Sequence, residues 1–281
     1  MEERKQGQSW RRSFRIIWIA QLIGSVAFGA FMPFVPFYLV ELGVEDLSRV
    51  ALLSGMFSAS SAAASTLASP VWGVMNDRYG RKAILLRAFS GGAIVLGAMA
   101  CARSVAVLLV LSVLDGCFAG TVVEATTLVA TTAPKDKMSH GLGVLQAAVF
   151  TGDALGPVLG GAVGEVLSLR AAGWLSCGLL LAAGVLVYLF VIGDKIPQRG
   201  GGIGELPKVA EAMRVVARSR PTLGAIVSKM GLQLGTASIS PILPLFVQSL
   251  ASSQGSVISM TGLITGVAAA TSGLGAMVLG R

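Results

Sequence analysis

Charge is scarce in this 281-residue sequence. Only 13% of its residues are charged, against about 25% in a soluble globular domain. A water-facing surface cannot be covered on that supply, so a soluble domain is excluded. Histidine is almost absent, with His140 alone; it is placed at a helix start as an interfacial residue without a role. The three cysteines, Cys101, Cys117 and Cys177, fall in apolar runs without metal-ligand spacing. They are expected to be small buried hydrophobes. Neither a metal site nor a catalytic triad has the residues it needs. No G-x-x-x-x-G-K-[ST] run occurs, so no ATP loop is expected. No cofactor and no enzymatic activity are therefore expected. No cleavable signal peptide is expected, because the start MEERKQGQSWRRSFR is long and polar for an n-region and the apolar run behind it lacks a clear small-residue cleavage site.

Apolar residues and glycine fill the space that charge leaves. The chain is 54% hydrophobic and holds 36 glycines, as suits helices that pack closely in lipid. A spanning helix needs about 20 apolar residues. Eight runs qualify: 16–40, 50–72, 83–101, 104–131, 141–165, 171–193, 222–248 and 257–280. The fold class expected is an all-α membrane protein.

The net charge of +8 would suggest nucleic acid in a soluble protein. Here the basic residues sit between apolar runs and set orientation instead, so no nucleic-acid partner is expected. With the N-terminus cytoplasmic, 18 of the 22 Lys and Arg fall on that side. They include Arg11, Arg12 and Arg15, the group Arg78, Arg81, Lys82 and Arg87, and the connector that follows residue 193. Only Arg49, Arg103 and Arg170 lie opposite, and Lys229 lies within a span. Trp10, Trp18, Trp72 and Trp174 fall mostly near helix ends, as interface anchors do.

The chain also repeats itself. Pro33-Phe34-Val35-Pro36-Phe37-Tyr38-Leu39 matches Pro241-Ile242-Leu243-Pro244-Leu245-Phe246-Val247, and residues 54–73 match residues 261–280. Spans seven and eight thus repeat spans one and two. The organisation expected is a six-helix half over 1–193, a cytoplasmic linker over 194–221 and two helices of a second half over 222–281. Glu205 to Arg218 of the linker is expected to form a surface amphipathic helix. Six-helix halves imply twelve spans, so the chain is expected to be a C-terminally truncated member with eight of twelve.

Two motifs carry a resemblance. The loop after the second span reads G-x-x-x-D-R-x-G-R-K through Gly73, Asp77, Arg78, Gly80, Arg81 and Lys82. Gly80 permits a tight turn, Gly73 admits a close backbone, and the three cations anchor the turn to the anionic leaflet. Asp77 is expected to pair with Arg81. In the fifth span, Gly152, Gly156, Pro157, Gly160 and Gly161 read G-x-x-x-G-P-x-x-G-G. Glycines at spacing four, Gly152 to Gly164, form one smooth face, expected to rock against a helix of the other half. Pro157 is expected to bend the helix.

The loop resembles the signature loop of the major facilitator superfamily. The fifth-span motif, with Pro33 and Pro36, resembles its drug–proton antiporter branch. The resemblance implies a multi-pass transporter of a bacterial cell (plasma) membrane, a monomer when full length. It implies proton-coupled efflux of a small-molecule amphiphilic substrate from a site between the halves. The loop would be a conformational switch. A sugar or metabolite carrier and a non-transporting truncated membrane protein are the alternatives. The branch carries an Arg four residues before a Gly in the fourth span, where this chain has Ser112 before Gly116.

Ionisable groups inside lipid are expensive and mark function. Asp115 and Glu124 in the fourth span and Asp153 in the fifth are the candidates for proton coupling, in that order. Hydrogen bonding within the bundle is the alternative for each. On a continuous helix Asp115 and Glu124 would be about 180° apart. Phe28, Phe31, Phe34 and Phe37 recur at spacing three. With Gln21, which matches Lys229 in the repeat, they are candidates to line the substrate cavity; packing is the simpler account of the phenylalanines.

Overall fold

The computed structural model describes residues 2–134, 137–191, 219–239, 246–247 and 257–279. At 2–9, 11, 77, 220, 221, 225, 229, 232, 233, 236–239 and 274–279 it describes the backbone alone. The linker residues 192–218, with the helix expected at Glu205 to Arg218, lie outside the described residues. So does Pro241 to Leu245 of the repeat.

The described chain is helical, with no strand among the described residues. Its elements are α1 (Glu2–Phe31), α2 (Val35–Glu41), α3 (Leu47–Tyr79), α4 (Arg81–Ala100), α5 (Val105–Phe118), α6 (Thr121–Thr132), α7 (Met138–Val166), α8 (Leu169–Phe190), α9 (Arg220–Ile239) and α10 (Val257–Leu279). Local chemistry sets several boundaries. Pro33 and Pro36 each remove a backbone donor, and a 3-10 turn, Met32–Phe34, separates α1 from α2. Asp46, Ser104 and Ser168 accept from the first-turn amides of α3, α5 and α8, as N-caps do. Gly80, at φ +82, turns α3 into α4 with no intervening loop.

Six stretches are long and apolar enough to cross a bilayer: Arg12–Glu41, Leu47–Asn76, Arg81–Ala100, Val105–Thr132, Met138–Val166 and Leu169–Phe190. These are the first six runs read from the sequence. The seventh run begins as α9 at Arg220 and leaves the described residues after Ile239; the eighth is α10.

The fourth span is not one helix. It breaks between Phe118 and Thr121, where Gly120 takes φ +127, a backbone region that side chains with a Cβ avoid. The assumption of a continuous helix from 104 to 131 is corrected by that glycine.

Helix α7 packs chiefly on α1 and α10, α4 and α1 both pack on α8, and α3 packs on α5. Phe31, Phe34, Tyr38, Phe89 and Met99 are enclosed at the centre. Buried Tyr38 donates to the Ala102 carbonyl at 2.8 Å, tying α2 to the α4–α5 turn. Of the cysteines, Cys101 is exposed and the other two are half-buried. Cys101 follows the last residue of α4, so its expected burial fails at a helix end.

Candidate functional site

The loop motif divides its labour differently from expectation. Lys82 points back along the bundle. Its ammonium donates to the carbonyls of Tyr188 at 3.0 Å and Val191 at 2.5 Å and sits 5.8 Å from the Tyr188 ring. It therefore caps the C-terminus of α8, where unpartnered carbonyls attract a cation. This corrects the leaflet anchor assigned to Lys82. Arg78 is exposed and lies over the Tyr79 ring. Arg81 opens α4 and is half-buried. A Cβ on Gly73 would meet nothing within 4 Å. The Asp77 side chain lies outside the described residues.

The fifth-span glycines face two ways. A Cβ on Gly152 would lie 2.8 Å from the Leu22 carbonyl oxygen, and one on Gly156 would lie 2.7 Å from that of Val26. One on Gly160 would collide with the Ala30 carbonyl. These three therefore lie on α1, inside the same half. The opposing-half contact expected of them is corrected.

The contact with α10 belongs to their neighbours. A Cβ on Gly161 would lie 3.0 Å from the Ile258 carbonyl oxygen, and one on Gly164 would lie 3.3 Å from the Ile258 side chain. Viewed from α10, a Cβ on Gly262 would collide with the Pro157 carbonyl, one on Gly266 would lie 2.6 Å from the Ala154 carbonyl oxygen and one on Gly273 would lie 2.9 Å from the Phe150 side chain. The result is an antiparallel seam of backbone on backbone between the fifth span and the helix that repeats the second.

The three intramembrane carboxylates stand in different surroundings. Asp115 is 8% exposed and accepts from Ser61 Oγ of α3 at 3.1 Å. One turn earlier, Ser112 and Ser60 share a hydrogen bond of 2.6 Å. Both fourth-span groups are thus turned into the α3–α5 contact. Glu124 is 5% exposed and accepts from Asn76 Nδ2 of α3. Asp153 is exposed and makes no hydrogen bond or ion pair with any described residue. It lies between Gly152, which faces α1, and Ala154, which faces α10. At 100° per residue it points into the angle between those two helices.

Gln21 is 1% exposed with neither amide atom hydrogen-bonded. Phe31 and Phe34 are fully enclosed, and Phe28 is half-buried near Gly92. Gln21, Phe31 and Phe34 therefore belong to the packed interior of the first six spans, which corrects the cavity-lining expectation. A small cavity of about 160 Å³ does lie at that end of α1, between the 3-10 turn, α2 and α3, lined by Met32, Pro33, Pro36, Ser54 and Phe57.

Arg87 and Trp72 were not singled out together by the sequence. Arg87 sits six residues into α4, with its guanidinium 3.6 Å from the Trp72 ring centroid. It donates to the Cys117 carbonyl at 3.1 Å and the Ala119 carbonyl at 3.5 Å, and Trp72 Nε1 also donates to Cys117 at 2.8 Å. Trp72 is thus a bond across helices, and Arg87 is a cation inside a span. The signal was Arg87's depth beyond the loop.

Among known proteins, the family model described as Major Facilitator Superfamily matches residues 11–281. Multidrug resistance protein MdtG of Salmonella paratyphi A is 32% identical over 273 residues, 97% of this chain and 67% of that protein. The protein of the same name from Salmonella typhi aligns with the same identity and coverage. The crystal structure of the human organic anion transporter MFSD10 (TETRAN) is similar in fold, with a TM-score of 0.67 at 20% identity over 94% of this chain and 72% of that one. The paired motifs, the repeated spans and the match over 11–281 agree: this multi-pass membrane chain belongs to the major facilitator superfamily.

Proposed function

We propose that the chain acts as a secondary active carrier that exports small amphiphilic compounds against inward proton flow. The observation that carries this reading is the α7–α10 seam with Asp153 at its edge. Two repeat-related units meet along smooth backbone, a contact suited to alternating access by rocking. A carboxylate with no partner among the described residues, beside that contact, can take a proton as the angle between α1 and α10 opens to water. The multidrug resistance proteins at 32% identity favour drug-like cargo. The coupling ion is the proton, with no other cofactor, and the carrier works as a monomer in the lipid bilayer.

With the N-terminus at the cytoplasmic side of a bacterial plasma membrane, the Gly164–Ile258 end of the seam is external. On this reading the seam is a barrier on the external side. The switch-loop residues Gly80, Arg81 and Lys82 act from the cytoplasmic side, with Lys82 holding the end of the sixth span.

Inverted vesicles carrying the protein test the proposal. An imposed proton gradient must drive uptake of an amphiphilic dye, and a protonophore must abolish it. Asp153→Asn must reduce proton-driven dye movement at least tenfold. Dye movement indifferent to the protonophore would sink the proposal, and gradient-driven transport of sugars in place of dyes would favour a metabolite carrier.

A further inference from the structure

The interruption of the fourth span leaves carbonyls at the end of α5 and amides at the start of α6 without helical partners, and lipid supplies none. The α5 carbonyls are answered from other helices. Trp72 of α3 and Arg87 of α4 both donate to Cys117, and Arg87 also reaches Ala119. The guanidinium carbon lies 3.6 Å from the Trp72 ring centroid, a close cation–π contact. The arginine fork serves two carbonyls and a ring face together.

Just past the break stands a carboxylate. Glu124 lies in the first turn of α6, where the helix dipole favours negative charge. Helix α6 packs on α4, α7 and α1, and α3 reaches Glu124 through Asn76. Helix α3 supplies the Asn76 amide, and α4 supplies the positive charge of Arg87 and Arg81. Among the described residues, α1 and α7 add no charged group to its surroundings. Arg87 and Glu124 do not form an ion pair within contact distance. Arg87 reaches the Ala119 carbonyl just before the joint at Gly120, whose backbone is non-helical, and Glu124 stands one turn after it, its amide bonded to the Gly120 carbonyl. A charge within a span is costly, and neutral Trp72 already serves Cys117, so as a cap Arg87 is needed at Ala119 alone.

We propose that Arg87 is a positioning residue for proton coupling at Glu124, held on Trp72 and the broken end of α5 so that α6 is drawn toward α5 while Glu124 is ionised. A proton arriving on Glu124 from one water phase removes the attraction. Helix α6 then swings at Gly120, and the proton leaves to the other phase when the attraction is restored. No bond other than the O–H bond of the carboxyl is made or broken. The inference rests on the proton-driven reading above and adds a coupling pair distinct from Asp153.

Trp72 reports on the pair without any substrate. In lipid vesicles, the chain with Trp10, Trp18 and Trp174 replaced by Phe keeps Trp72 as its one indole. Its emission must titrate with pH. The titration must persist in Asp115→Asn, shrink in amplitude in Arg87→Lys and vanish in Glu124→Gln. If Glu124→Gln does not fold, Asn76→Leu must displace the midpoint by about one unit, a tenfold change in proton affinity. Emission that does not titrate, that still titrates in Glu124→Gln or whose midpoint ignores Asn76→Leu overturns the pair, whatever the vesicles transport. Titration as stated, in vesicles without proton-driven efflux, supports the pair and overturns the efflux reading alone.

Discussion

Lys82 and Val191 are joined by a 2.5 Å hydrogen bond from ammonium to carbonyl, which fixes the first loop motif to the last turn of the sixth span. The bond joins residues 109 positions apart. A cation at a helix C-terminus is worth about 0.3–1 kcal/mol when partly exposed. Lys82→Met is expected to lower the stability of the detergent-solubilised protein by that amount, and Lys82→Arg is expected to restore most of it. Thermal unfolding followed by helical circular dichroism checks both. An unchanged Tm in Lys82→Met would show the cap to be idle.

The α1–α7 contact predicts an asymmetry between glycines of one helix. Gly156→Ala places a methyl 2.7 Å from Val26 O, and overpacking of this kind costs about 1–3 kcal/mol. Gly143→Ala meets nothing within 4 Å and gains about 1 kcal/mol of helix propensity. Gly156→Ala is expected to reduce the folded yield while Gly143→Ala leaves it level or higher. Size-exclusion profiles of the two variants decide it.

The seam predicts a different outcome at Gly262. A methyl there meets the Pro157 carbonyl of a neighbouring unit and leaves the contacts inside the first six spans alone. Gly262→Ala is expected to wedge α10 away from α7. A Val257→Cys reporter, buried in the parent protein, should then react faster with a membrane-impermeant maleimide. Equal reaction rates with and without the methyl would refute the seam as the barrier.

Tyr38→Phe removes the hydroxyl that donates to Ala102 and leaves a buried carbonyl with less satisfaction. The expected loss is about 1–3 kcal/mol. Urea or thermal midpoints measure it, and a change below about 0.5 kcal/mol would count against the bond.

Asp115 and Ser61 predict tolerance. Asp115→Asn keeps an oxygen that can accept from Ser61 Oγ, so proton-driven efflux is expected to survive within about threefold. Asp115→Leu leaves Ser61 without its acceptor in lipid and should destabilise the α3–α5 contact by about 1–3 kcal/mol. Loss of proton coupling with folding intact in Asp115→Asn would move the coupling role back to this residue.

The spans were legible because twenty apolar residues between charged turns have few other uses. Gly80 was legible because a motif with two glycines around basic residues needs a turn. The break at Gly120 was not. In a chain with 36 glycines, most sit in helices against a neighbour, and sequence does not distinguish a packing glycine from one at positive φ. The missed break hid the relation of Glu124 to Asp115, since their angular separation presumed one helix. The direction of the glycine stripe was equally hidden. Spacing fixes which residues share a face, while the partner of that face depends on how helices far apart in sequence assemble. Arg87 escaped because a charge count assigns it to the loop, although six residues of helix carry it inward.

The seam between α7 and α10 is centred on glycine and backbone, with the side chains of Phe150, Val158 and Ile258 beside it. Gly161, Gly262 and Gly266 lie against backbone of the facing helix, so few rotamers must change for one helix to slide along the other. Such a joint behaves as a bearing. It sets the path of motion but contributes little to the choice between end states. That choice falls to the groups at its margins, and single substitutions there can retune the resting conformation without touching any residue that meets cargo.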